Sequence, residues 1–172
     1  FIGQEAGYMA TDAYYSNFIG SNAGYQAENA IFSNFLGTQA GLDATNAAYS
    51  NLFGYRSGMS FFGNNIGSNN IIIGTNISLP DGVQNAMNLG GVLFATGTHS
   101  DINTDPSIIP STTGRIGIGT SNPQALLDVY ANTDAYIQSS VSGATASFTA
   151  YNPALGYPRA NFRIGNSVGD LN

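Results

Sequence analysis

Apolar and polar positions recur with a fixed spacing along the first third of the chain. Two adjacent apolar residues followed by glycine occur at Phe1-Ile2-Gly3 and return 17 positions later three times, at Phe18-Ile19-Gly20, Phe35-Leu36-Gly37 and Leu52-Phe53-Gly54. In the three complete units a second glycine and two alanines follow, and each unit ends in Ser-Asn. A short and strict period indicates a solenoid, in which each unit is too small to bury a core alone.

The length of the unit favours a β-solenoid. Helical repeats need about 30 residues or more for two helices and a turn, whereas a short unit with two glycines and a Ser-Asn turn suits one β-coil. Stacked coils would lie about 4.8 Å apart, a spacing at which asparagine side chains form ladders. The sequence therefore predicts an all-β fold, with residues 1–79 as a solenoid shaft of 17-residue coils, either a β-roll or an interwound triple β-helix. The repeat glycines are Gly3, Gly20, Gly37 and Gly54.

The paired apolar residues predict a second apolar surface on each coil. Neighbouring residues in a strand point to opposite faces, so one residue of each pair would face outward and need cover. We expect that cover to come from neighbouring chains of a homotrimer. A thicker core within one chain is the alternative. The residues predicted to form the trimer interface are Phe18, Phe35, Tyr15, Phe32 and Tyr49.

The pattern changes beyond residue 79. Pro80-Asp81-Gly82 predicts a turn and a module boundary. Residues 80–130 are predicted to form a connecting β module, the first of the small antiparallel β modules expected after the solenoid. Residues 131–172 contain short alternating stretches typical of small antiparallel strands, and are predicted to form a partial β module towards a receptor-binding tip. There Tyr136, Tyr151 and Tyr157 are possible receptor contacts, with packing of these tyrosines as the alternative.

Composition narrows the partners. Only 8% of the residues are charged, whereas ordinary domains have about 25%. Ten acidic residues oppose four arginines, and the pI is about 4.2, so no basic patch is available to bind phosphates. The chain has no cysteine and no apolar run of about 18 residues. We therefore expect neither nucleic-acid binding nor membrane insertion. Since the chain begins inside a repeat, we expect it to be an internal fragment of a longer polypeptide.

No motif predicts catalysis, a cofactor or a metal. Gly117-Ile118-Gly119 lacks the third glycine of a dinucleotide loop, and Pro123 stands where the helix of that loop would begin. His99 has only loop carboxylates near it in sequence. The acidic residues of the repeats do not share one register, so they predict no catalytic carboxylate pair; they are Glu5, Asp12, Glu28 and Asp43.

Two segments carry a resemblance to known families. Ser-Asn-Phe-Ile-Gly followed by Ala-Gly, within residues 16–24, resembles the short repeats of trimeric autotransporter heads and phage tail fibres. Residues 117–129 resemble the segment G-I-G-T-x-x-P-x-x-x-L-D-V of phage tail fibres and related bacterial surface proteins, often found upstream of an endosialidase-type intramolecular chaperone. The resemblance implies that such a chaperone lies beyond Asn172 and is removed from the mature fibre. Residues 2–7 also fit the hexapeptide acyltransferase pattern, which the next six residues break.

These observations lead to an expected function. The chain is predicted to be a structural and adhesive segment of a homotrimeric extracellular fibre, on the virion as a bacteriophage tail fibre that attaches to the host surface. Its expected partners are its own copies, a bacterial cell-surface glycan or protein receptor, and other virion tail proteins. A bacterial surface adhesin or extracellular filament is one alternative. A trimeric β-helical enzyme, either a polysaccharide depolymerase or a hexapeptide transferase, is an alternative from a different class.

Overall fold

The computed structural model describes residues 1–59, 65–98 and 114–130, together with the backbone of two short strands at 151–152 and 157–158. This part of the chain contains strands and turns without a helix, so the all-β prediction is confirmed. No helix among these residues could cross a membrane. The strands are β1 (Asn17–Ile19), β2 (Asn34–Leu36), β3 (Asn51–Phe53), β4 (Ile71–Ile73), β5 (Ala86–Leu89), β6 (Leu93–Thr96), β7 (Arg115–Ile118), β8 (Leu127–Val129), β9 (Tyr151–Asn152) and β10 (Tyr157–Pro158).

Strands β1 to β5 stack in parallel as a β-solenoid of about four turns, which confirms the predicted solenoid. The register pairs Asn17 with Asn34 and Asn34 with Asn51, so these coils are 17 residues long. Asn51 then pairs with Ile71, and Ile71 with Met87, so coils of 20 and 16 residues follow. The coil length therefore first increases and then decreases beyond the 17-residue repeats.

The sheet continues past the turn at residue 80. Strands β5, β6 and β7 pair antiparallel, and β8 pairs in parallel with β7, so β1 to β8 form one sheet in chain order. Residues 1–133 form one compact unit, and residues 134–172 form another, in which β9 and β10 pair antiparallel. The turn at residue 80 joins β4 to β5, which still pair in parallel, and the change to antiparallel pairing follows between β5 and β6. The module boundary near residue 80 stays a prediction.

Hydrogen bonds between coils extend beyond the strands into the turns. Asn22 donates its backbone N–H to Gln4 O at 2.8 Å, Gln26 donates to Tyr8 O at 2.8 Å, and Asn29 donates to Thr11 O at 3.1 Å. These three donors have φ between 50° and 55°, the left-handed region, which costs a non-glycine residue about 1 kcal/mol. The coil tolerates this conformation because it satisfies backbone donors that would otherwise lie unpaired in the turns.

Stacked identical side chains fill the core. The rings of Phe1, Phe18 and Phe35 stack at centroid distances of 4.7 Å, and Leu52 and Ile72 follow in the next strands. Small alanines line the rest of each coil and let its walls approach. Among the described residues, the fully buried alanines are Ala23, Ala27, Ala30, Ala40, Ala44, Ala47 and Ala86.

A ladder of serines carries polar groups through the core. Ser33 Oγ donates to Ala47 O at 2.7 Å and accepts from the backbone N–H of Ser50 at 3.1 Å, and Ser50 Oγ accepts in turn from Asn70 N at 3.1 Å. Asn70 replaces serine in the next coil, where its amide donates to Val83 O at 2.7 Å and accepts from Ala86 N at 3.0 Å. Each step is satisfied, as buried polar groups require.

The four repeat glycines lie in one column, where a side chain would meet the backbone of the next coil. A Cβ placed on Gly20, whose φ is 134°, would lie 2.5 Å from the carbonyl oxygen of Gly37. Gly3, Gly37 and Gly54 meet the carbonyl of the next coil in the same way. The column therefore has no space for side chains.

Gly20→Ala is expected to lower the free energy of unfolding by about 3 kcal/mol, because the added methyl forces two coils apart. The matched control is Gly90→Ala, at a φ of 65° with no atom within 4 Å of the added Cβ. It introduces only backbone strain and should cost about 1 kcal/mol. Urea denaturation followed by circular dichroism measures both. Equal losses would contradict the close approach of the coils.

Ser57→Ala is expected to raise the free energy of unfolding by about 1 kcal/mol, because among the described residues Ser57 Oγ is buried without a hydrogen-bond partner. The matched control, Ser50→Ala, removes a bonded hydroxyl and leaves Asn70 N–H without its acceptor, so it should cost about 2 kcal/mol. The same denaturation assay measures the gain in stability expected for Ser57→Ala and the loss expected for Ser50→Ala. A loss of stability in Ser57→Ala would show that the hydroxyl is satisfied.

Candidate subunit interface

One row of large apolar side chains runs along the outside of the whole sheet. Each strand from β1 to β8 contributes one residue at the same register position, and Ile2 joins Ile19 through an isolated bridge. Six of these side chains are 39 to 67% exposed, and the other three are half-buried. We call this row the outer column: Ile2, Ile19, Leu36, Phe53, Ile73, Leu89, Leu93, Ile118 and Val129.

The outer column is long and uninterrupted. Its members follow one another at the spacing of hydrogen-bonded strands, so its eight steps cover about 38 Å at about 4.8 Å each. Every member is an aliphatic or aromatic residue, although the sheet changes from parallel to antiparallel pairing along the way. An exposed apolar row of this extent is typical of a surface that another molecule covers.

A second outward row lies beside the outer column, and its chemistry changes along the sheet. At the repeat end it is an amide ladder, in which Asn17 donates to Asn34 and Asn34 donates to Asn51, both at 2.8 Å. From β4 onward the same register position is apolar. We call this row the flanking column: Asn17, Asn34, Asn51, Ile71, Met87, Ala95, Ile116 and Leu127. Neither column contains a charged residue.

The structure corrects the prediction that Phe18 and Phe35 face a neighbouring subunit. Both side chains are 0% exposed and lie inside their own coil. Their rings occupy the space left by the second glycine of each unit, since a Cβ on Gly24 would collide with the ring of Phe18. The outward residues of these pairs are Ile19 and Leu36. Strand alternation predicted that one residue of each pair points into the coil and the other points outward. The glycine six positions after each phenylalanine could have shown that the phenylalanine is the inward residue.

The other three interface candidates form a surface stack. Tyr15, Phe32 and Tyr49 have ring centroids 5.1 and 5.2 Å apart, with ring planes within 15° of parallel. Tyr15 is 81% exposed, Phe32 is exposed and Tyr49 is half-buried. Because the rings cover one another's faces, the stack presents mainly ring edges to the solvent. Contact of these residues with another chain stays a prediction.

The possible receptor contacts fall on the less completely described end of the chain. Tyr136 lies outside the described residues. Tyr151 begins β9 and pairs with Pro158, and Tyr157 begins β10 and pairs with Asn152. This pairing places both tyrosines in the same two-stranded sheet. Their role in receptor binding stays a prediction.

The acidic residues of the repeats do not form a cluster. Glu5 accepts a hydrogen bond from Asn22 at 3.0 Å, and Glu28 lies on a separate bridge between Thr11 and Thr45. Within residues 1–59, 65–98 and 114–130 no three potential metal-ligating side chains lie together. His99 lies outside these ranges. Partial burial raises the pKa of the Asp43 carboxyl above its ordinary value.

The segment around Gly117 is a strand, a turn and a strand. Gly117 lies inside β7, and the chain returns as β8 in parallel with it. Arg115 donates to Pro123 O at 3.0 Å, and the Asp128 carboxylate accepts from the backbone N–H of Gln124 at 2.9 Å. Both hydrogen bonds lie within the segment and stabilise its turn. Arg115 and Asp128 therefore have a structural role here.

Asp43→Asn is expected to raise the melting temperature at neutral pH. Since the pKa of Asp43 is raised in the folded chain, the carboxyl destabilises the fold increasingly as the pH rises above 3.8, and the difference from the variant disappears below that pH. Thermal melts at about pH 3 and about pH 7 measure this. Asp12→Asn is the matched control, because Asp12 has the same left-handed backbone but is exposed. A benefit of equal size at both pH values would contradict the effect of burial.

Comparison with protein-family models, with curated proteins and with solved structures gives no match to this chain.

Proposed function

We propose that this chain is a structural and adhesive segment of a homotrimeric extracellular fibre, of the kind that phage tail fibres use to reach a host surface. The observation that carries the proposal is the outer column, an exposed apolar row that follows the stacked sheet from Ile2 to Val129. A β-solenoid with such a row needs a partner along its length, and identical chains provide one of the same length.

The backbone of the solenoid suits a mechanical role. Hydrogen bonds join neighbouring coils in the strands and also in the turns. A coil can therefore bend away from its neighbour only by breaking several of these bonds together. Ladders of asparagine, serine and stacked phenylalanine add side-chain contacts at the same spacing. The predicted 17-residue repeat is, in this proposal, the building unit of a stiff shaft.

The distribution of charge permits three copies to meet along this surface. The chain carries a formal net charge of −6 at pH 7, but neither the outer nor the flanking column includes a charged side chain. Association through these columns would therefore bury no charge and place no like charges in contact. Removing the exposed apolar side chains from water would supply the driving force.

The adhesive part of the proposal rests on the resemblance of residues 117–129 to a segment of phage tail fibres. In this chain the segment ends the eight-stranded sheet as β7 and β8. It precedes residues 134–172, the part of the chain with the three tyrosines predicted to contact a receptor. A shaft followed by a small β module is the arrangement expected of a fibre that positions a binding tip.

The mass of the recombinant chain in solution tests the proposal. Light scattering is expected to give three times the mass of the 17.9 kDa chain, and an unboiled sample in SDS is expected to migrate as a trimer. A folded chain with the mass of a monomer at micromolar concentration would overturn the proposal. Circular dichroism of the same sample establishes whether the chain is folded.

A further inference from the structure

We infer that the chains pack parallel and in register, with the outer column of each chain lying along the common axis. The inference rests on the proposed function and deepens it, because it names the surface of contact and the relative direction of the partners. Each chain would contribute its row from Ile2 to Val129, and the occupant of that row is a second and a third copy of the same chain.

The outer column is the outward row that remains apolar along the whole sheet. The flanking column is polar over β1 to β3, where it consists of asparagines that bond to one another. The surface stack of Tyr15, Phe32 and Tyr49 spans only the first coils. The row that contains Phe18 lies inside the core. A contact that extends along the complete sheet therefore has to use the outer column.

The shape of this row favours several copies around an axis. It contributes one side chain per strand, between the asparagines of the flanking column and the glycines that follow the repeat strands, such as Gly20. Glycine has no side chain, so these glycines place no side chain against the row on that side. A narrow ridge of this kind fits into the space between two neighbouring ridges around a central axis.

The partner needs to match the row in period and length. The outer column offers an apolar side chain about every 4.8 Å over about 38 Å. Its lack of charge provides no electrostatic feature for recognising a different partner. A second copy of the column has the same period, length and chemistry, so each of its side chains meets an equivalent one.

The flanking column determines the direction of packing. In a parallel arrangement, asparagines at the repeat end lie near asparagines, and the apolar residues from Ile71 to Leu127 lie near one another. An antiparallel arrangement would place Asn17 near Leu127 and Asn51 near apolar residues of the partner. It would bury amide groups beside side chains that offer no hydrogen bond, which costs free energy. The parallel arrangement avoids this cost.

Single cysteine substitutions provide the test, because the natural chain has no cysteine. Ile19→Cys and Val129→Cys place one thiol near either end of the outer column. Thr11→Cys is the matched control, since Thr11 is exposed but lies on the separate ladder with Glu28. Each purified variant is treated with a short bismaleimide and run on a denaturing gel. A second sample is refolded from a mixture of Ile19→Cys and affinity-tagged Val129→Cys chains.

Parallel, in-register packing predicts that Ile19→Cys and Val129→Cys each cross-link to themselves. The yield is expected to be at least ~10-fold above that of Thr11→Cys, because proximity raises the effective thiol concentration to millimolar values. The mixed sample should contain no product that joins the two different chains. If Ile19→Cys falls to a folded monomer while Thr11→Cys remains a trimer, the loss also supports contact at the outer column.

Two results would overturn the inference while leaving the proposed function in place. A trimer by mass in which Thr11→Cys cross-links and Ile19→Cys does not would move the contact to another face. A trimer whose mixed sample joins Ile19→Cys to Val129→Cys would overturn the common direction of packing, because one chain would then run opposite to the other two. A wild-type chain that is monomeric in light scattering would instead overturn the proposed function itself.

Discussion

Close backbone approach between coils is the constraint on which the rest of this structure depends. Every coil hydrogen-bonds to the next in its strands and in its turns, so the chain must stay at strand spacing around the whole perimeter. This requirement explains the glycine column at Gly20 and Gly37, where a methyl group would meet a carbonyl. It also explains the left-handed backbone of residues such as Gln26, whose N–H must point towards the neighbouring coil.

The same constraint brings identical side chains into contact. Residues 17 positions apart lie directly above one another, so each position must suit a neighbour of its own kind. Asparagine does so because its amide donates on one side and accepts on the other, as Asn34 does between Asn17 and Asn51. Serine does so because its hydroxyl has both capacities, and phenylalanine because its ring stacks. The strict period of the sequence therefore follows from the constant distance between stacked coils.

This relation determined what could be predicted from the sequence. The spacing of Phe18, Phe35 and Leu52 was sufficient to predict coils stacked in a β-solenoid. The inward direction of the phenylalanines was not predicted, because alternation defines two faces of a strand without showing which one is the core. The space left by Gly24, which the ring of Phe18 fills, determines that the phenylalanine points inward. Antiparallel modules after the solenoid were predicted, but the partner of each strand was not, since beyond residue 79 no repeat remains to indicate which strand lies beside which. Tyr151 was correctly expected in a stretch of short strands, but a two-residue strand reveals nothing about what its side chain binds.

The serine ladder has a consequence for how such a shaft changes over evolutionary time. Within the repeats, each coil presents a donating face to one neighbour and the complementary accepting face to the other, so the loss or duplication of one 17-residue unit would leave every remaining contact of the same kind. Asn70 ends this freedom, because its side chain joins Ile66, Val83 and Ala86 in coils of other lengths. A lineage could therefore lengthen or shorten the shaft in whole coils on the N-terminal side of Asn70, in increments of about 4.8 Å, while the C-terminal strands keep their pairing. The length of the shaft would then be set by the number of 17-residue units in the gene, and unequal recombination between repeats would change it.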